Sequence, residues 1–428
     1  MSIMLRLASL VNVGLRGSSL VFRFALSFYI IKYLGLTAAG IYGLALGAIG
    51  LAPAMTTFGM NYFLARDLVG MPPGQAAPRI KTRLVASTVA TAVLTAVAGA
   101  VAYAISYPVT PIIVIIAVLV WLENYANDLY VSLIALEMPL LANVAMFIRL
   151  AAWIPFVIGL GLLLPQTRSI EYVLFGWLVS YGFYFAVLLY ALRRWPLAEA
   201  LRAPIQTGWI KERLRQGWLI YFSDIGIVGY TYADRYIVSL MLGLELTGLY
   251  NFYWSLANAL QTLLFTAIIQ VALPVLFKAF NTGNMAEWRA AMRRQMKKTA
   301  SYAVVLGICV YGGSELLIAL MGMSHLTEHR GVFIMLVLAA VIRSGTDLAN
   351  VGITSVRLDR IYALTNLSSL AISCVVTSLC VWWLGFVGVG VASLGTASVV
   401  TAIKAWILVR FAWSDVRASK AALPADQP

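Results

Sequence analysis

The chain has 428 residues, of which 61% are hydrophobic and only 11% are charged, with a formal net charge of +14. A water-soluble domain has about a quarter of its residues charged, so this chain has too few charges to cover an apolar core. Because a bilayer solvates apolar side chains directly, the composition excludes a soluble globular enzyme and predicts an all-α integral membrane protein.

Twelve apolar runs follow one another along the chain, each near the ~20 residues that a bilayer crossing needs. The first six cover residues 8–33, 38–62, 84–106, 110–136, 139–164 and 171–192. The second six cover 217–241, 246–275, 299–322, 331–355, 361–384 and 387–411. This layout predicts a six-helix lobe at 1–195, a cytoplasmic interfacial linker helix at 196–216, a second six-helix lobe at 217–411 and a cytoplasmic tail at 412–428.

Positive charge alternates between the connections. The even-numbered connections and the tail are basic, with Arg66, Arg79, Lys81 and Arg83 before the third run and Arg289, Arg293, Arg294, Lys297 and Lys298 before the ninth. The odd-numbered connections hold only Arg168, Arg330 and, at an edge, Lys32. Since cytoplasmic loops are enriched in Lys and Arg, both termini are predicted to be cytoplasmic. Topology thus accounts for the net charge without a nucleic-acid partner, and Lys404 is expected to extend to the membrane interface.

The two halves share a short motif. Gly35-Leu-Thr-Ala-Ala-Gly40-Ile-Tyr42 follows the first run, and Gly243-Leu-Glu-Leu-Thr-Gly248-Leu-Tyr250 follows the seventh. Upstream, Arg23 with Ser27 is matched by Arg235 with Ser239. Parallel repeats are common in transporters, with the substrate path between the halves. The motif therefore predicts a duplicated, parallel architecture.

Polar residues form stripes on five of the predicted helices. They are Ser9, Asn12, Arg16, Ser19, Arg23 and Ser27; Asn124, Asp128 and Ser132; Tyr221, Asp224, Tyr232, Arg235 and Ser239; Asn251, Trp254, Ser255, Asn258 and Thr262; and Arg343, Thr346, Asp347, Asn350 and Thr354. A charge at the bilayer centre costs at least ~2.5 kcal/mol. The stripes therefore predict a hydrated cavity. The alternative is buried ion pairs that fix helix packing, for which Arg343 and Asp347, one turn apart, are the best candidates.

Candidate site residues follow from these stripes. Arginine suits phosphate because its planar fork donates two parallel hydrogen bonds, and aromatic faces suit sugar rings. The substrate-binding candidates are Arg16, Arg23, Arg235, Arg343, Tyr221, Tyr232, Trp254 and Asn258. The ion-coupling candidates are Asp128, Asp224 and Asp347. A competing account has Arg235 paired with Asp128 and Arg23 paired with Asp224.

The segment Phe28–Ala45, followed by Phe58-Gly-Met-Asn61-Tyr, resembles the start of bacterial polysaccharide flippases. These belong to the multidrug/oligosaccharidyl-lipid/polysaccharide exporter superfamily. The resemblance implies two six-helix lobes around a central cavity that opens alternately to each side, lined mostly by helices one, two, four, seven, eight and ten. The second run departs from this pattern because it has no charge.

The same resemblance implies a flippase for undecaprenyl-pyrophosphate-linked oligosaccharide in the bacterial inner membrane, with no cofactor. The implied partners are this substrate, membrane lipids, a polysaccharide polymerase or export machinery, and a coupling cation, proton or sodium. A cation-coupled drug antiporter of the same superfamily is the closest alternative, and a membrane polymerase is a weaker one. His325-Leu-Thr-Glu328-His329 has zinc-protease spacing, but it falls in a short connection, and no metal is expected.

Overall fold

The structure is a computed structural model that describes the backbone of residues 2–413 and the side chains at positions 14–324 and 326–410. The regular secondary structure in that range is helical, with turns and short loops between the helices, and no strand occurs in it. The chain divides into two compact units with the boundary between Arg235 and Tyr236. The predicted Ser9 and Asn12 of the first stripe lie outside the described side chains.

The first unit contains the helices α1 to α10. They are α1 Ser2–Tyr29, α2 Leu36–Thr56, α3 Met60–Leu68, α4 Pro73–Ala104, α5 Pro111–Ala135, α6 Pro139–Phe147, α7 Ile154–Leu163, α8 Ile170–Ala191, α9 Leu197–Arg202 and α10 Thr207–Leu242, of which α10 ends just beyond the boundary. The second unit contains α11 Leu244–Leu264, α12 Gln270–Asn281, α13 Met285–Leu320, α14 Arg330–Ser355, α15 Asp359–Leu384 and α16 Phe386–Ile407. Short π-helical segments join α6 to α7 and α11 to α12.

Ten helical segments among the described residues are long and apolar enough to cross a membrane. The helices α1 and α10 are also long, and they carry the predicted charged stripes. On α4 the exposed face is apolar, with Val89, Val93, Val97 and Val101 each more than half exposed. Its residues Thr82, Arg83, Ser87 and Thr91 are buried, the reverse of a soluble amphipathic helix. The prediction of an all-α integral membrane protein is therefore confirmed.

Several helices begin well before the apolar runs. Helix α4 begins at Pro73, where the sequence predicted 84, and α13 begins at Met285, where it predicted 299. Hydropathy detects only the part of a helix in the bilayer core, whereas backbone hydrogen bonding continues into the polar interface. The predicted linker helix differs for the same reason: it is the short α9 followed by the first turns of α10, which is continuous with the seventh run.

The repeated glycines have the same backbone conformation. Gly35 precedes α2 with φ 89° and ψ 173°, and Gly243 precedes α11 with φ 85° and ψ 176°. A residue with a Cβ atom rarely adopts this φ, so both positions favour glycine. The two copies of the motif thus begin their helices in the same way, as expected for a duplication.

The start of α10 is held against the end of α3 by contacts to Asp67. The Trp209 Nε1 donates to Asp67 at 2.6 Å, and Arg79 and Arg213 form ion pairs with the same carboxylate at 3.2 Å. Trp209 also packs in an apolar cluster with Met60 and other residues of α3 and α4. In the second unit the comparable core surrounds the fully buried Trp288 of α13.

Two glycines allow α10 to touch the break between α2 and α3. A Cβ atom at Gly217 would lie 2.5 Å from the Phe58 carbonyl oxygen, and one at Gly59 would lie 2.5 Å from the Gly217 carbonyl oxygen. A Cβ atom at either position would therefore push the two backbones apart, because the atom that it meets is a main-chain oxygen and not the end of a flexible side chain.

We expect Gly217→Ala to lower stability by about 1–3 kcal/mol through this overpacking. Gly208→Ala is the matched control, because it lies on the same helix and its Cβ would meet nothing within 4 Å. Thermal unfolding of both purified variants in detergent measures the difference. Equal melting temperatures for the two would contradict the close approach.

Candidate functional site

Asp128 of α5 is held in a buried polar network. Its carboxylate forms an ion pair with Arg83 Nη2 at 3.1 Å and accepts hydrogen bonds from Asn61 Nδ2 at 2.8 Å and from Ser87. Arg83 Nε in turn donates to Asn61 Oδ1 at 2.8 Å. Arg83 is 0% exposed and Asp128 is 1% exposed, so both charges are withdrawn from solvent. This network ties α4 and α5 to the start of α3.

The other side of α5 carries a second pair. Glu123 accepts from Arg149 Nη1 at 2.9 Å and from the Tyr181 hydroxyl. The Arg149 guanidinium lies over the Tyr184 ring at 5.8 Å from its centroid. The predicted ion-pair alternative therefore applies to α5, which links its neighbours through charges on two faces.

The partner of Asp128 was not predicted. The sequence placed Arg83 in a connection, which is wrong, because α4 begins ten residues earlier and buries this side chain. The competing account paired Arg235 with Asp128, whereas the described ion pair of Asp128 is with Arg83. The signal was present, since Arg83, Ser87 and Thr91 recur every four residues.

Arg235 of α10 is 1% exposed, although it is charged and lies about two turns before the end of the helix. Its Nη1 donates to the Gly43 carbonyl oxygen of α2 at 3.3 Å. Its guanidinium lies over the Tyr232 ring, 4.8 Å from the centroid. That ring packs against Gly50, where a Cβ atom would come within 2.8 Å of it. Helix α2 therefore approaches the arginine closely because it is rich in glycine.

Arg23 of α1 is exposed, and Arg16, two turns earlier, is half-buried. The guanidinium groups of Arg23 and Arg235 both interact electrostatically with the hydroxyl of Tyr42. Tyr42 belongs to the repeated motif on α2. The two arginines that the repeat aligns thus share the electrostatic environment of one hydroxyl group.

Tyr221 and Asp224 lie on the same helix as Arg235. The Tyr221 hydroxyl donates to the Met55 carbonyl oxygen at 3.3 Å, and its ring packs against Phe58. Asp224 is half-buried, and among the described residues no hydrogen bond or ion pair to it is present. The predicted pairing of Arg23 with Asp224 is therefore not seen in the described part of the chain.

In the second unit the stripes of α11 and α14 face each other. Trp254, Asn258 and Gln261 of α11 and Arg343 of α14 line one small cavity of about 10 Å³. This volume is near the minimum for one water molecule. Gln261 was not predicted, although it lies one turn after Asn258. The cavity brings three predicted substrate-binding residues together, but it is too small to hold a sugar.

The helices α14 and α16 share a line of polar contacts that we call the polar seam. Arg343 donates to Ser393, Thr346 bonds Thr401 at 2.6 Å, and Asn350 accepts from Lys404 at 2.7 Å. Asp347 accepts from Gln261 at 2.7 Å. The hydrogen bonds described for Arg343 and Asp347 thus connect them to other helices rather than to each other.

Lys404 does not extend to the membrane interface as predicted. It is 2% exposed and donates to the Oδ1 atoms of Asn350 and Asn366, each at 2.7 Å. Amide oxygens from two other helices satisfy the ammonium inside the unit, so it has no need to reach water.

The first histidine of the zinc-protease spacing, His325, lies outside the described side chains. Ser324–Thr327 is a short 3₁₀ turn, and His329 precedes α14 with its ring against Phe386. Among the residues described, no three His, Cys, Asp or Glu side chains cluster at metal-binding distance.

The profile of a family described as polysaccharide biosynthesis protein matches residues 8–280. A comparison with curated protein sequences found no match.

Solved structures with a similar fold cover nearly the whole chain. One is an inward-facing multidrug resistance MATE family transporter of the MOP superfamily, with TM-score 0.70, 13% identity and coverage of 93% of this chain and 96% of that one. An outward-facing MATE family transporter has TM-score 0.56, 12% identity and coverage of 97% and 95%. A MOP superfamily transporter from Pyrococcus furiosus, described as having a binding pocket of reverse polarity, has TM-score 0.52, 13% identity and coverage of 95% and 94%. At these identities the likeness shows the fold alone.

Proposed function

Because the chain belongs to the polysaccharide biosynthesis protein family, we propose that it is a flippase for undecaprenyl-pyrophosphate-linked oligosaccharide. It moves this lipid across the bacterial inner membrane by alternating access, for surface polysaccharide biosynthesis. The observation that best supports the proposal is the buried Arg235, which shares the electrostatic environment of Tyr42 with Arg23. The proposal requires no enzymatic step and no cofactor.

A pyrophosphate suits two arginines that act electrostatically on one hydroxyl group better than a cationic drug does. Two like charges repel, and the repulsion is strong in a medium of low dielectric. A diphosphate offers several anionic oxygens, and each guanidinium can donate two parallel hydrogen bonds to them. Binding would neutralise the repulsion and shift the population between the states that open to each side.

A cation-coupled drug antiporter is the second candidate. The fold is that of MATE family transporters described as multidrug resistance proteins, and Asp224 offers a half-buried carboxylate without a described partner. Such an antiporter would be expected to bind its cationic substrate through carboxylates, and the arginines argue against that. A membrane polymerase is less favoured, since such an enzyme would be expected to have a sizeable outer loop, whereas the odd-numbered connections between the predicted runs are each under about ten residues.

The basic even-numbered connections support an orientation with both termini in the cytoplasm. In that orientation the transporter binds the charged headgroup at the cytoplasmic face and releases it at the opposite face of the membrane. Polysaccharide polymerase or export machinery would then be the partner that receives the product, and a proton or sodium ion would be the coupling cation.

A deletion strain tests the function. We expect the loss of surface polysaccharide, with lipid-linked oligosaccharide accumulating in the cytoplasmic leaflet, and restoration of both by the intact gene. Glycan analysis of surface and membrane fractions measures this. Normal polysaccharide together with increased drug sensitivity would reject the flippase in favour of the antiporter.

We hypothesise that Asp128, Asp224 or Asp347 titrates or binds a cation during transport, and the contacts of the three carboxylates differ. Asp224→Asn is expected to change the pH or sodium dependence of transport with little loss of stability, because no described group depends on its charge. Asp128→Asn should chiefly destabilise, since it weakens the contact with Arg83. Transport in vesicles at several pH values and sodium concentrations, with melting temperatures, separates these effects. Unchanged dependence in the amide variants of all three would remove the hypothesis.

A further inference from the structure

Lys404 occupies a cradle of amide oxygens at the meeting point of three helices. Its Nζ atom lies 2.7 Å from Asn350 Oδ1 of α14 and 2.7 Å from Asn366 Oδ1 of α15. Lys404 and Asn366 are each 2% exposed. The ammonium is therefore enclosed inside the second unit.

Among the described side chains, no carboxylate forms an ion pair with this ammonium. The ion pairs found in the described chain do not include Lys404. The Asp347 carboxylate, one turn from Asn350, interacts electrostatically with the Lys404 ammonium and also with Arg343. A buried charge without a paired carboxylate is costly, so an apolar side chain would serve packing alone better.

The surroundings of this ammonium resemble those of a bound cation. Neutral carbonyl oxygens with one carboxylate at longer range are the groups that replace the hydration shell of alkali ions in membrane proteins. An ammonium group needs the same acceptors. The cradle is thus a monovalent-cation site in its chemistry, with the chain's own side chain in the position of the ion.

We propose that Lys404 is a built-in monovalent cation, and that the cradle of Asn350 and Asn366 binds a free monovalent cation once the lysine is shortened. The second unit consequently needs no free cation at this place. The inference is independent of the proposed substrate, because it concerns cation binding within one unit.

The test compares thermal unfolding of the full chain in detergent at equal ionic strength in choline, sodium or methylammonium chloride. Wild type is expected to show no salt preference that depends on Asn366. Lys404→Ala should melt lower in choline and gain on the order of 5 °C in saturating methylammonium or sodium, since a ligand that binds only the folded state raises stability. Asn366→Leu in the Lys404→Ala background should abolish the gain.

Lys278→Ala is the matched control, because Lys278 is an exposed lysine of the same unit, and no salt preference is expected. Lys404→Ala that is as stable as wild type in choline, or that gains nothing from the small cations, would overturn the proposal. So would sodium-specific stabilisation of wild type that depends on Asn366. If Lys404→Ala is not recovered from choline buffer, recovery from methylammonium buffer supports the proposal, and failure in both buffers refutes it.

Discussion

Arg235→Lys is expected to insert and fold but to reduce export of lipid-linked oligosaccharide about 10- to 100-fold, since a charged hydrogen-bonded contact contributes about 1.5–3 kcal/mol. Lysine keeps the charge but lacks the planar fork that grips two phosphate oxygens. The same loss is expected for Arg23→Lys, the equivalent position of the first repeat. Leaflet-specific measurement of the lipid in a complemented deletion strain gives the effect.

Arg330→Lys is the control for this substitution. Arg330 pairs with Glu315 at 3.0 Å, but its side chain is 51% exposed, and such surface pairs contribute little. Export by this variant should stay near wild type. Normal export by both Arg23→Lys and Arg235→Lys would leave these arginines with a packing role only. A loss of export that is proportional to a loss of protein in the membrane would also indicate a packing role.

The largest loss of stability is expected from Arg83→Met, at about 3–5 kcal/mol, because it leaves the carboxylate of Asp128 buried without its partner. The double variant Arg83→Met with Asp128→Leu should recover much of that loss, since a buried pair can often be replaced by apolar side chains. Thermal unfolding in detergent measures all three proteins.

Arg66→Met serves as the comparison, because Arg66 is an exposed arginine of the same region and should be replaceable with little effect. If Arg83→Met were as stable as Arg66→Met, the Arg83–Asp128 pair would not support the packing of α4 on α5. A double variant that is no better than Arg83→Met would indicate that Asn61 and Ser87 cannot accommodate an apolar replacement.

The sequence was sufficient to predict the helical membrane fold and the repeat, because both depend on local patterns. Runs of apolar residues report the bilayer thickness directly. The matching glycines at 35 and 243 report a backbone conformation that other residues avoid, and the structure gives both the same φ and ψ. The prediction that Trp254 and Asn258 lie on one face of a helix likewise depends only on the helical period.

Pairing between helices could not be predicted in the same way. Arg83 and Lys404 look like interface residues in the sequence, because each lies near the end of an apolar run. Their burial depends on acceptors that other helices supply, Asp128 and Asn61 for one and Asn350 and Asn366 for the other. Sequence spacing along one helix contains no information about which residues of another helix lie opposite.

The contact between Gly59 and Gly217 has a genetic consequence. Each would-be Cβ meets a main-chain carbonyl oxygen, an atom that every amino acid possesses. A second mutation that trims a side chain therefore cannot suppress a Gly217→Ala defect. Revertants should restore glycine itself or displace the whole segment around Phe58, and glycine should be retained at both positions however the neighbouring side chains change during evolution.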